Sequence, residues 1–432
     1  MREIYHLNLH KYLLIFFLNI LIVGAITYAQ KPVAYLPTKL ANDNLIGELM
    51  QQRADEFKTI LSNPRKYEIQ IIYTQINHKE NGQAELIQHQ YQLNPKQYFY
   101  PASLVKLPLS VLALEKCNLL NIPSGAAMIT LASHHCQKEV NIDSSTINYK
   151  PSIANYVKKM MLVSDNDAYS RTFEFMGADA IKKRLLSLNI KNTDILHRFD
   201  PGCNTLDNLY YNPILFFNEN GDTIYKQDAS KSLTYQNYRY IKKTKGKAHY
   251  NARGKLIRKP KVFTQNNVMP LQEINDFLVA LMYPQFVPKE KQFQLKNEDY
   301  KMLLKAMSQY PRESDFPHYD GSKFEDSYKK YLMFADYHDT IKTDSLRIFN
   351  VVGQSYGWLA DCAYFVDHKN NIDFFLSAVI YVNANQVLND GRYEYKQIGF
   401  PFLSKLGKLI YDYERTRKRD YYGSFERFTE LN

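Results

Sequence analysis

The apolar residues of this chain change their spacing several times, and each change marks an element. From Asn44 to Leu61 they recur at helical intervals (Leu45, Leu49, Phe57, Leu61), until Asn63-Pro64 breaks the run. The stretch 67–76, YEIQIIYTQI, is rich in β-branched and aromatic residues. The stretch 84–93, AELIQHQYQL, reads as its partner across an Asn81-Gly82 turn. A helical period then governs 103–116, 152–163, 167–176 and 178–188, and a loop-rich stretch, 191–213, follows. A strand-like LFFNENGDTIY and a basic segment come next, then helical spacing at 270–284 and 297–309. The last third returns to strands at 347–354, 358–367 and 373–383, whose short gaps predict an antiparallel meander. An amphipathic helix over 400–416 closes the pattern.

The order is helix, two strands, a helical block, three strands, helix. Strands from both ends can share one sheet, which makes the helical block an insertion into an α/β (α+β) fold. No internal repeat is visible. The chain is 45% hydrophobic and 23% charged over 432 residues, which fits a globular protein and excludes a disordered one.

Arg2 and Lys11 precede or open an apolar run from Tyr12 to Tyr28, and a small residue, Ala29, follows. That pattern predicts a signal peptide over 1–29 and a mature protein over 30–432, exported to a periplasmic or extracellular location. A single N-terminal membrane anchor is the alternative, although the run is short for a bilayer. No cysteine follows the run, so no lipoprotein anchor is expected. Cys117 and Cys136 are near enough in sequence to pair in an oxidising compartment, and buried free thiols are the alternative. His134-His135-Cys136 is the one cluster suggestive of a metal; chance neighbours in a loop explain it better, and neither metal nor organic cofactor is expected.

The net charge is +11, and the segment Lys231–Lys261 holds eleven Lys and Arg with no Asp or Glu, so it equals the whole excess. Tyrosines interleave it. In an exported chain such a strip suits acidic envelope polymers or lipid headgroups rather than nucleic acid, and a solvated surface hairpin is the simpler reading.

The chemistry concentrates at YFYPASLVKLPLSVLALEK, residues 98–116. A serine needs a base before it attacks a carbonyl. Lys106, three residues after Ser103, falls on the same helix face one turn along. Burial favours its neutral form, and the helix N-terminus favours a developing oxyanion. A second Ser-x-x-Lys, Ser327 to Lys330, lies in the charged stretch KFEDSYKKY, and without an apolar run behind it reads as surface. Downstream of Ser103, Ser164-Asp165-Asn166 sits between two apolar helical runs.

Together these motifs resemble the class A β-lactamases and related penicillin-recognising serine hydrolases. The resemblance covers roughly residues 44–416. It implies a five-stranded antiparallel sheet flanked by helices, with sheet segments 44–98 and 347–416, and an all-helical subdomain over 99–213. A basic, Tyr-rich insertion over 214–266 and a charged stretch over 313–346 are extra to compact class A enzymes. The resemblance makes Ser103 the nucleophile, Lys106 its base, Ser164 a proton relay and Asn166 a substrate contact. RFDPGCN, 198–204, is similar to the family's omega-loop pattern: Arg198, Pro201 and Asn204 match, and Asp200, one methylene short, stands where a glutamate directs the deacylating water. In the strand that normally carries Lys-Thr-Gly, Gly353 fits the glycine. Val351, or Asn350 in a shifted register, stands in place of the lysine; Arg347, Lys342 or a base from the insertion are the candidate substitutes. The backbone N–H groups of Ser103 and Gln354 form the implied oxyanion hole. The expected activity is acyl-serine hydrolysis of a β-lactam or related amide. The alternatives are a cell-wall D-Ala peptidase or esterase, acting on a peptide-like substrate, and a catalytically weakened envelope-binding relative.

Overall fold

The computed structural model describes residues 38–200, 202–233, 243–342 and 345–429. The expected signal segment 1–29 and part of the basic segment lie outside them. Strand β1, Thr38–Leu40, enters first. The predicted N-terminal helix is broken at Arg53 into α1, Leu45–Gln52, and α2, Ala54–Leu61. Strands β2, Gln70–His78, and β3, Ala84–Tyr91, form the expected hairpin, in which Gly82 takes the left-handed φ of 73° that its turn requires.

A short 3-10 turn, Ala102–Val105, leads into α3, Lys106–Leu119, whose residues from Lys106 to Glu115 are all buried. A helix apolar all round belongs inside a helical layer, and α3 is covered by α4, Ile153–Val163, α5, Asn166–Met176, and α6, Ala178–Ser187. A small sheet borders this unit. It pairs β4, Ala127–Thr130, with β5, Ile214–Phe217, and β5 with β6, Thr223–Gln227. The first part of the 214–266 stretch therefore packs as a hairpin on the helical unit.

The chain returns through α7, Leu271–Met282, and α8, Asn297–Ser308. Strands β7, Leu346–Ser355, β8, Trp358–Asp367, and β9, Ile372–Tyr381, make the predicted meander, and α9, Phe400–Thr416, follows. The main sheet runs β1-β3-β2-β9-β8-β7. It has six strands rather than five, because β1 pairs in parallel with β3 as a short edge. Helices α1, α2 and α9 share one hydrophobic core with the sheet, while α7 packs against β2, β8 and β9. The fold is thus a mixed α/β one, a sheet flanked by helices with a helical unit inserted. Among the described residues no helix is long and apolar enough to cross a membrane.

Two features place β7 at the helical unit. As an edge strand it is free to face it. A Cβ at Gly353 would lie 2.4 Å from the carbonyl oxygen of Pro101, so only glycine lets the strand approach the turn that carries Ser103. The β7–β8 hairpin closes through Tyr356 and Gly357, both at positive φ (55° and 94°).

The cysteines pair differently from the expectation. Cys136 and Cys203 form the disulfide, with Cα atoms 5.1 Å apart, and Cys117 and Cys362 are buried free thiols. Cys117 lies in α3 and is fully enclosed, so it has no access to the loop of Cys136. His134, Cys136 and Asp207 do cluster, yet Cys136 has its sulfur in the disulfide and offers no thiolate to a metal.

Candidate active site

Ser103 sits in the 3-10 turn ahead of α3, just after Ala102, which holds a φ of 46°. Lys106 begins α3 and is 1% exposed. Its Nζ donates to Ser164 Oγ at 3.0 Å, to Asn166 Oδ1 at 2.7 Å and to the Ser164 carbonyl. Burial is the main reason its pKa falls well below that of a free lysine; the charge of Lys329 adds to the fall and Asp165 opposes it.

The Ser-Asp-Asn segment reaches Lys106 because of how the two helices join. Ser164 ends α4 in the left-handed conformation (φ 57°, ψ 41°), and Asp165 caps α5 by accepting from the Ala168 N–H. This sharp turn aims Ser164 and Asn166 at the lysine. Strained non-glycine residues at Ala102, Ser164 and Tyr356 thus gather around one place, as at functional sites.

That place is a cavity of about 950 Å³, lined by Ser103, Ser164 and Asn166 from the helical unit and by Val352 and Gln354 from β7. Tyr328, Tyr331, Tyr356, Tyr393 and Tyr395 add aromatic walls. Of the predicted residues, the structure therefore brings together Ser103, Lys106, Ser164, Asn166, Gly353 and Gln354. The remaining two are placed elsewhere. Asp200 lines a neighbouring cavity of about 580 Å³, where its Oδ1 accepts from the Gly202 N–H at 2.8 Å. Phe199, stacked on Tyr169 with ring centroids 4.1 Å apart, is what faces Lys106, its ring 5.4 Å from Nζ. Asn204 Oδ1 accepts from the N–H groups of Leu206 and Asp207, which holds the loop rather than facing the serine. Buried Arg198 anchors the same loop on Glu174 and the Tyr210 carbonyl.

The second Ser-x-x-Lys is not on the surface. Ser327, Lys329 and Lys330 are all buried, and Ser327 and Lys329 line the same cavity as Ser103. The reasoning from a missing apolar run fails because tertiary packing, not local sequence, removes the water. Lys330 Nζ donates to the carbonyls of Met307 and Ile348 at 2.7 and 2.6 Å and to Asn350 Oδ1 at 2.9 Å. Asn350 in turn donates to Asp361 Oδ1 at 2.9 Å; burial pushes that carboxyl up to about 7. Val351 points to the opposite face of β7 and is buried. Two of the suggested substitutes for a strand lysine do not reach the cavity: Arg347 pairs with Glu313 at 3.0 Å and Lys342 is exposed. The signal that could have found Ser327 and Lys329 was the repeated motif itself.

Residues 52–234 match the family described as the beta-lactamase enzyme family. The match contains Ser103, Lys106, Ser164 and Asn166. No curated protein matches. Among solved structures, the chromosome-encoded β-lactamase of Vibrio parahaemolyticus is similar at 13% identity, over 84% of this chain and 99% of that one, with a TM-score of 0.46. A class A β-lactamase from Clostridium kluyveri is similar at 14% identity, over 84% and 98%, with a TM-score of 0.45. A β-lactamase from Xanthomonas campestris is similar at 11% identity, over 85% and 98%, with a TM-score of 0.47.

Proposed function

We propose that this chain is an exported acyl-serine hydrolase that acts on a β-lactam or a related amide. Ser103 Oγ attacks the carbonyl carbon and its proton passes to the neutral Lys106 amine. The C–N bond then breaks as Ser164 hands a proton to the leaving nitrogen, while Asn166 orients the substrate. The backbone N–H groups of Ser103 and Gln354 receive the oxyanion. One observation carries this reading: a buried, pKa-depressed lysine held between Ser164 Oγ and Asn166 Oδ1 beside a serine that opens on a cavity. The Cys136–Cys203 disulfide favours an oxidising compartment and so supports export.

The test is mass spectrometry of the protein after penicillin, beside a chromogenic cephalosporin assay. An adduct on Ser103, absent from Ser103→Ala, is expected; no adduct with any β-lactam or ester probe overturns the proposal. A second reading, a peptidase or esterase of the penicillin-binding type, is favoured by the placement of Asp200 and Phe199. Its sign is an acyl-enzyme that persists, because a misplaced water-directing group costs on the order of a hundredfold. Exposed Lys247, Arg253, Lys255, Arg258 and Lys259 fit the expected docking of an acidic envelope polymer.

A further inference from the structure

Two adjacent lysines have opposite surroundings. Lys330 places its ammonium on three acceptors. Lys329 is only 4% exposed, yet among the described residues its ammonium makes no hydrogen bond and no ion pair; it lies instead on the wall of the Ser103 cavity. The carboxylate nearest to hand, Asp361, already accepts from Asn350 Nδ2 and from the Leu332 N–H, each at 2.9 Å.

A buried cation without an acceptor is costly, and an anion delivered through the cavity removes that cost. The position of Lys329 is built. Its carbonyl accepts from Asn350 Nδ2 at 2.5 Å, which ties the turn Asp326–Lys329 to β7. The same turn packs against α4, the helix that ends in Ser164. Tyr328, Tyr331 and Tyr356 line the same cavity.

We infer that Lys329 is the subsite for a carboxylate on the substrate that acylates Ser103, supplied by the Asp326–Lys329 turn in place of a lysine on the edge strand. The inference rests on the acyl-serine reading above and adds the charge of the substrate. The charged groups around Lys329 are Lys106 from α3, Asp361 from β8, its neighbour Lys330 and, on the cavity wall, Glu325, Asp336, His338 and Lys396. Burial brings Lys329 down to about 7, with Asp361 opposing the fall. Above that pH the empty site is neutral, so a bound carboxylate must draw in a proton.

The experiment uses Ser103→Ala, which separates binding from acylation. Calorimetry at pH 8 compares a penicillin with its methyl ester, in two buffers of different ionisation enthalpy. Tighter binding of the free acid by about 10- to 100-fold is expected, the range for one charge-assisted hydrogen bond, together with net proton uptake. Ser103→Ala/Lys329→Met should lose the preference, and Ser103→Ala/Lys329→Arg should keep it. No proton uptake in Ser103→Ala, or a preference that survives Lys329→Met, overturns the inference. Lys329-dependent binding without acylation of the unmutated chain overturns the acyl-serine reading instead.

Discussion

Ser103-x-x-Lys106 and Ser327-x-x-Lys330 share a pattern, both lysines are buried, and both serines line one cavity. They differ in what receives the lysine. Besides the Ser164 carbonyl, Lys106 donates to a hydroxyl and an amide that can themselves exchange protons or partners with a ligand. Lys330 donates to two backbone carbonyls and an asparagine, inside the packing of β7 and α8. The first arrangement leaves an amine available for chemistry; the second uses its ammonium as a structural tie. A spacing motif therefore states only where two side chains can meet, and the acceptors decide what the pair does.

Three substitutions test that difference. Ser103→Ala should abolish acylation, a loss of at least about a thousandfold, whereas Ser327→Ala should leave the acylation rate within about threefold. Equal losses in single-turnover rates would erase the distinction. Lys330→Met should act on stability instead, because it leaves three buried acceptors without a donor, and about 3–5 kcal/mol is expected. Urea titration checks it, and an unchanged midpoint would show the tie to be weak.

The pH profile separates the lysines further. The amine of Lys106 acts as base only when neutral, so the acylation rate should rise with pH through its depressed pKa and then level off. Lys106→Arg, which never deprotonates, should lose the whole limb. For stability the sign follows from the unfolded chain, which binds a proton on Lys329 up to the free-lysine range. The folded chain releases that proton near 7, so stability increases between about 7 and 10. Lys329→Met should flatten that slope and raise the unfolding midpoint near neutral pH. The smallest effect is assigned to Asp200→Asn, within about threefold on deacylation, since its carboxylate is held by Gly202 in the adjoining cavity. A large loss in burst kinetics would return Asp200 to the site.

Much of this was legible in the residues. The hairpin across Asn81-Gly82, the meander of β7 to β9 and the helices from α3 to α6 follow from periodicity and turn chemistry, which are local. The meeting of Ser103, Lys106, Ser164 and Asn166 was legible only through the resemblance to the class A β-lactamases, since Lys106 and Ser164 lie 58 residues apart. What escaped depends on contacts between distant segments. The Cys136–Cys203 bond spans 67 residues, and no spacing rule selects it. Strand β1 is three residues long and owes its existence to β3. That Phe199 rather than Asp200 faces Lys106 is not encoded by the residue types of RFDPGCN. Lys329 was hidden because its turn packs against Asn350 and α4, both distant from it in sequence.

Gly353 carries a last consequence. It leaves no room for even a methyl group against Pro101, while its neighbours Val351 and Val352 bring no charge to the strand. The edge strand thus contributes shape, and the electrical contribution comes from another part of the chain. Reactivity and recognition are carried on separable pieces of polypeptide. A designer could regraft the Asp326–Lys329 turn to admit cationic or neutral ligands and leave the acylating helix as it stands.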